Sequence, residues 1–234
     1  MLIIAHRGAS ADAPENTLAA FEKAVEDRAD MVELDVRLCA GGEPVVFHDA
    51  DLHRLGAMPG KIGDLSLEEL KAVNLGGGQT IPELAEVLEA FCRKISINIE
   101  IKDAAAAVPV AWMVARYSTG RKGAYPDFLI SSFDREALRV FRKHQAGTRL
   151  GWVVCQTDPD YSGIKEEEGI YSIHQHIDCA SAEWVRRVQA DGLKVMIYTV
   201  NHKADILKMK SLGVDGIFTD FPGKARVATA EGQK

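Results

Sequence analysis

Eight short apolar runs, separated for most of the chain by amphipathic stretches, are the feature that most narrows what these 234 residues can fold into. The runs are Leu2 to Ala5, Met31 to Val36, Ile97 to Ile101, Phe128 to Ser131, Leu150 to Val154, Gly169 to Ile173, Val195 to Val200 and Gly216 to Thr219. Between them, Thr17 to Arg28, Ile81 to Cys92, Asp134 to His144, Ala182 to Asp191 and Lys203 to Leu212 carry apolar residues at helical spacing. Strands that alternate with helices must run parallel, because the chain crosses back over the sheet each time. Eight such units in a chain of this length fit a closed (β/α)8 TIM barrel of the α/β class. An open doubly wound sheet is the alternative, but no G-x-G-x-x-G follows the first run.

A ninth run, Pro44 to Phe47, breaks the alternation. Only Ala40-Gly41-Gly42-Glu43 separates it from the second strand, so it reads as the return arm of a hairpin. A turn centred on the glycine pair sets Leu38 roughly opposite Val45 and Asp35 roughly opposite His48, and a slip of one or two residues would still leave His48 beside the carboxylates. From about residue 50 to 80 the rhythm lapses into Gly- and Pro-punctuated chain. This stretch is expected to be a small insertion near the C-terminal face, over the mouth of a single barrel domain spanning 1–234. Ser66 and Glu69 open its short helix as a capping pair, with Leu65, Leu67, Leu70 and Val73 at packing spacing. The small, polar tail after Gly223 is expected to fray.

Composition excludes several functions. A net charge of -6 disfavours nucleic acid as partner, and no apolar run approaches the roughly 20 residues of a membrane span. Met1 to His6 lacks the basic start and long apolar stretch of a secretory leader, so the cytoplasm is the expected address. Cys39, Cys92, Cys155 and Cys179 form no C-x-x-C and read as reduced core residues. A homo-oligomer is compatible with all of this.

In a barrel of this kind functional side chains gather where strands run out at the C-terminal face. Strand ends here supply His6 and Arg7, then Glu33 and Asp35, then Asn98, Glu100 and Lys102, then Ser131 to Asp134, Tyr198 to Asn201 and Thr219-Asp220. Side chains alternate along a strand, so Glu33 and Asp35 point the same way. Like charges that close do not both stay ionised without a cation between them. Glu33, Asp35 and Glu100 make a hard oxygen set suited to Mg²⁺ or Ca²⁺. His6 and His48 add imidazoles able to exchange protons near neutrality, and Arg7 and Lys102 add cations for phosphate oxygens. Together these groups suit hydrolysis or transfer at phosphorus.

The ordered strings His6-Arg7-Gly8, Pro14-Glu15-Asn16-Thr17, Glu33-Leu34-Asp35-Val36, Pro44 to Asp49, Ile81-Pro82-Glu83-Leu84, Asn98 to Lys102, Ser132-Phe133-Asp134, Thr199-Val200-Asn201 and Gly213 to Asp220 resemble the glycerophosphodiester phosphodiesterases. The resemblance implies a barrel enzyme that cleaves small glycerophosphodiesters to glycerol 3-phosphate and an alcohol. It implies a divalent cation at Glu33, Asp35 and Glu100, His6 and His48 as acid and base, and Arg7 and Lys102 on phosphate oxygens or the carboxylates. Tyr198 stands where the family often has Trp, so the wall that meets substrate is smaller and carries a hydroxyl. Other readings are a lysophospholipase D or a phosphoinositide-specific lipase, for which Leu55 to Pro59 is the modest apolar candidate at the mouth, and a barrel that binds phosphate esters without turnover.

The remaining histidines read differently. His53, His144 and His202 fall on loops or helix ends and are expected at the surface. His174 and His176 alternate at a strand end, but no carboxylate or cysteine is spaced to complete a metal site with them. Asn16 and Asp49 suit a ligand role or a turn role equally, Lys165 to Glu168 suits a solvated loop or helix face, and Asp220 is placed to orient a basic group.

Overall fold

The computed structural model describes residues 1–55, 59–118 and 128–231. Strand β1 (Leu2–Ala5) pairs in parallel with β2 (Met31–Leu38) on one side and β9 (Gly216–Thr219) on the other. From β2 the parallel circuit continues through β4 (Ser96–Ile101), β5 (Phe128–Ser132), β6 (Arg149–Val154), β7 (Ser172–His176) and β8 (Lys194–Tyr198) to β9. The ring is closed, so none of its eight strands has a bare edge. Strand β3 (Pro44–Val46) stands outside it, antiparallel to β2.

Alternation along each strand builds two cores. Ile3, Val32, Leu34, Val36, Ile97, Ile99, Ile173 and Ile217 face outward against the helices. Inside the ring, Ile4, Met31, Leu129, Met196 and Phe218 plug the lower end. Each full burial of such a side chain is worth roughly 1.5–3 kcal/mol, enough in sum to carry a polar upper interior that contributes no such gain. The outer wall comprises α1 (Leu18–Glu26), α3 (Leu84–Phe91), α4 (Ala107–Ser118), α5 (Arg135–His144), α6 (Ser162–Glu168), α7 (Ala182–Ala190), α8 (Lys203–Leu212) and α9 (Pro222–Glu231). Thr17 caps α1 and Ser181 caps α7, each accepting from the backbone N–H three residues on. Among the described residues, no helix is long and apolar enough to cross a membrane.

The segment after β3 forms its own small core. Phe47, Leu52, Ile62, Leu70, Val73 and Ile81 cluster with Cys39 and Val45, and Leu65 and Leu67 pack against them. Its helix α2 (Leu67–Lys71) starts in the Ser66–Glu69 capping box that the sequence suggests.

Four expectations need correction. The hairpin is offset by one residue, with Arg37 opposite Val45 and the Phe47 N–H donating to the Asp35 carbonyl. The strand expected at Gly169 to Ile173 begins at Ser172, because Gly169 is spent as the left-handed cap of α6 at φ 62°. The tail does not fray at Gly223: it forms α9, where Ala225 and Ala228 enter the core and Arg226 donates to the Arg28 carbonyl. Lastly, Cys39 and Cys92 are buried, whereas Cys155 is exposed and Cys179 only half-buried.

The link after β1 depends on close backbone packing. Gly8 sits at φ +83°, and a Cβ there would fall 2.6 Å from Ala20 Cβ and 2.7 Å from its carbonyl carbon. Gly42 has a similar φ of +89° with nothing within 4 Å. Replacing Gly42 by Ala is expected to cost only the backbone strain, about 1–2 kcal/mol. Gly8→Ala adds a clash with backbone that cannot yield, and urea unfolding should show a loss larger by at least about 1 kcal/mol.

Candidate active site

The ends of β1, β2, β4, β7, β8 and β9 converge on one pocket of about 270 Å³, lined by His6, Arg7, Glu33, Asp35, His48, Glu100, Lys102 and, on the opposite side, Phe133, Val153, His174, His176, Tyr198, Thr199 and Phe218. One wall is charged and the other is mainly aromatic and apolar. All eight residues proposed from sequence line this space.

The charged wall is built on the β2–β4 register, which sets Glu33 beside Asn98 and Asp35 beside Glu100. Inward-facing side chains at those positions bring oxygens of Glu33, Asp35 and Glu100 within 4.8 Å of one another. Lys102 Nζ lies 2.6 Å from Glu100 Oε1 and 3.3 Å from Asp35 Oδ1. Arg7 Nε approaches Asp35 Oδ2 at 3.4 Å, and the Arg7 backbone N–H donates to Glu33 Oε2 at 2.8 Å. Arg7 takes its left-handed φ of 56° immediately before Gly8, which turns that N–H toward Glu33.

These contacts split the carboxylates electrostatically. Burial would raise Asp35, but Lys102 and Arg7 outweigh it and hold the group below its usual range. For Glu33, burial and the neighbouring Asp35 charge act together and push it up to about 8. With Glu33 protonated, two carboxylates face two cations, so the cluster balances without an ion. A divalent cation between the three oxygens would let Glu33 ionise. That strained, all-oxygen donor set fits a hard cation.

Each histidine has its Nδ1 held by a carboxylate, which leaves Nε2 for the pocket. His6 Nδ1 is 2.7 Å from Asp220 Oδ1, and Asp220 is itself fixed by Asn201 Nδ2 at 2.6 Å and by the Ser10 hydroxyl at 3.1 Å. His48 Nδ1 is 2.6 Å from Asp49 Oδ1, and Arg54 Nε donates to Asp49 Oδ2 at 2.6 Å. The two rings sit in opposed fields. For His6, burial pulls the pKa down, but Asp220 and Glu33 overcome it and the value is raised. For His48, burial with Lys102 and Arg7 prevails over Asp35 and Asp49, and the value is lowered.

The offset hairpin still delivers His48 to the pocket, since a one-residue shift moves its backbone by only a few ångströms. Tyr198 presents its ring alone: its hydroxyl donates to the Val154 carbonyl at 2.9 Å, and the ring packs edge-on against Phe133 and His176. His53, His144 and His202 are exposed, as expected. His174 and His176 lie within β7, not beyond it. Among the described residues, the one acidic group with metal-site geometry excludes both. Of the apolar candidate Leu55 to Pro59, residues 56–58 lie outside the described residues.

Some supporting residues escaped sequence reasoning. Asn16 takes a left-handed φ of 58° and clasps Asp35 twice, donating from Nδ2 to Oδ2 at 2.9 Å and accepting the Asp35 N–H at 3.2 Å. Glu15 accepts from Arg7 at 2.8 Å and from Arg54 at 2.7 Å, joining the inner cluster to the segment after β3. The acid-then-amide pair before a helix cap was the available signal, and it read equally well as a turn.

Residues 6–224 match the glycerophosphoryl diester phosphodiesterase family. This chain belongs to that family. A glycerophosphodiester phosphodiesterase of Caldanaerobacter subterraneus subsp. tengcongensis is 35% identical, with 94% of each chain covered. An Oleispira antarctica phosphodiesterase solved with the product sn-glycerol-3-phosphate superposes with a TM-score of 0.92 at 29% identity, covering 98% of this chain and 97% of that one. The glycerophosphodiester phosphodiesterase of Thermotoga maritima gives 0.79 at 33% identity, covering 95% and 96%.

The raised Glu33 pKa sets a sign for stability. In the metal-free protein Glu33 binds its proton more tightly folded than unfolded, so stability falls as pH rises from about 4.5 and the loss is complete above about 8. Glu33→Gln, which still accepts from the Arg7 N–H, should flatten that decline in metal-free thermal melts. A divalent cation should raise the melting temperature of the parent protein and leave that of this variant unchanged.

Proposed function

We infer that this protein hydrolyses small glycerophosphodiesters to glycerol 3-phosphate and an alcohol, within one barrel domain whose segment 50–80 lies by the mouth. The carrying observation is the pairing of two carboxylate-anchored imidazoles with a three-carboxylate cluster in one pocket. A barrel that only bound phosphate esters would have no use for a proton-transfer pair.

Glu33, Asp35 and Glu100 are the residues to hold a divalent cation, Mg²⁺ or Ca²⁺. Such an ion neutralises charge that builds on the phosphoryl oxygens. Once Glu33 ionises, three carboxylates, the two cations Arg7 and Lys102 and a dication leave the inner cluster one charge positive, which attracts a monoanionic diester. Lys102, bound to Glu100, holds the carboxylates apart and remains close enough to meet a phosphate oxygen.

The opposed fields at the histidines support one assignment of roles. His48, whose proton affinity is lowered, takes the proton from the attacking oxygen, either water or a glycerol hydroxyl whose cyclic phosphate water then opens. His6, whose proton affinity Asp220 raises, gives its proton to the departing alcohol oxygen as the P–O bond breaks. The proton count then closes with one taken and one given. The reading includes a reducing compartment, the cytoplasm, in which the four thiols stay free.

The test is release of glycerol 3-phosphate from glycerophosphocholine by metal-stripped protein with Mg²⁺ or Ca²⁺ added back. His6→Ala and His48→Ala should each lower kcat by roughly 10²–10⁴-fold while calorimetry still detects the metal. Full activity in either variant would overturn the assignment. In the pH profile, the acid limb belongs to His48 and the alkaline limb to His6. Asp220→Asn removes the charge that raises His6, so the alkaline limb should move to lower pH while the acid limb stays in place.

A further inference from the structure

His174 is the one buried imidazole that the proton-transfer scheme leaves unused. It is 1% exposed, lies between Val153 and Met196 in the β6–β7–β8 register, and sits one inward rung below the His176–Tyr198 pair. Its ring packs 5.0 Å from the Phe218 ring and still lines the pocket, so it forms part of the floor.

Much of the surrounding strand geometry makes room for it. A Cβ at Gly151 would lie 2.5 Å from His174 Nε2 and 3.0 Å from Ser172 Oγ, so this ring requires a residue without a side chain on β6. Ser172 Oγ engages Nε2 at 2.9 Å, and among the described residues it is the ring's single hydrogen-bond partner. Nδ1 is therefore left for whatever enters the pocket. Burial pushes the ring down to about 3, which keeps it uncharged at any working pH. A neutral imidazole packed on Phe218, in a lining it shares with Val153 and Tyr198, suits a hydroxyl on a short carbon chain rather than an anion.

We propose that His174 is a specificity-determining residue whose Nδ1 hydrogen-bonds the terminal hydroxyl of the glycerol end of the substrate, the polyol entering the aromatic half of the pocket while phosphate faces the carboxylate wall. The inference rests on the glycerophosphodiesterase reading above and adds to it which end of the diester goes inward and what reads it.

The test compares glycerophosphocholine with 2-hydroxypropyl phosphocholine, which lacks only the terminal hydroxyl. The parent enzyme should favour the former in kcat/KM by roughly 10- to 100-fold. In His174→Leu that ratio should fall toward 1, and His174→Gln, which keeps a hydrogen-bonding group, should recover part of it. His174→Phe, matched in ring volume beside Phe218, serves if the Leu variant does not fold. Calorimetric binding of sn-glycerol 3-phosphate against inorganic phosphate gives the same comparison without turnover: the variants should lose affinity for the former only. A folded variant that keeps the parent ratios, or loses both phosphates equally, overturns the role of His174. If the parent enzyme binds both phosphates but cleaves neither diester, the proposed activity fails while the binding ratio still decides His174.

Discussion

Repulsion among Glu33, Asp35 and Glu100 is the interaction around which the rest of the mouth is arranged. Three carboxylates within 4.8 Å are unfavourable in a closed interior, and every neighbour answers that cost in some way. Lys102 sits against two of them, Arg7 leans on Asp35, Asn16 holds Asp35 from both sides, and Glu33 keeps its proton. The energy to hold them there comes from the shell of Ile, Val and Leu on the outer faces of the same strands. Fold and site are thus two faces of one alternation: Val32, Leu34 and Val36 anchor β2 outward, and Glu33 and Asp35 are carried inward by the same backbone.

The pocket is chemically divided because the barrel's strands are. The first half of the chain supplies the charge: β1, β2, the segment after β3, and β4. The second half, β5 through β9, supplies Phe133, Val153, His174, His176, Tyr198 and Phe218. The His6–Asp220 pair straddles the closure of the ring. His6 stands at the end of β1, yet the carboxylate that sets its proton affinity comes from the loop after β9. Acid strength at His6 therefore depends on the first and last strands of the barrel being zipped together through the Ile4 to Phe218 register.

What could be read from sequence tracks how local each cause is. The strand alternation, the hairpin glycines and the Ser66–Glu69 box are short-range signals, and the elements they imply are present. The inward set Glu33, Asp35, Glu100 and Lys102 was legible because period-two alternation fixes a side chain's face from its position alone. The misses have distant causes. Helix α9 is polar by composition and folds because Ala225 and Ala228 find the core and Arg226 reaches Arg28, almost two hundred positions away in sequence. Gly169 looked like a strand start because nothing local says whether a glycine opens a strand or ends a helix. The orientation of the Tyr198 hydroxyl toward Val154, and the clasp of Asn16 on Asp35, depend on which loops lie alongside, and that only the closed ring determines.

Among the described residues, strand β3 lies outside the ring and pairs with it through β2. Its downstream segment has its own small core, yet Arg54 carries that segment back to the site through Glu15 and Asp49. Chain can thus be lengthened or exchanged on this flank without disturbing barrel closure, provided the arginine tether survives. The flank that bears His48 is thus a replaceable module, while the side that bears His6, on β1 and locked by Asp220 after β9, is cast into the staves of the barrel.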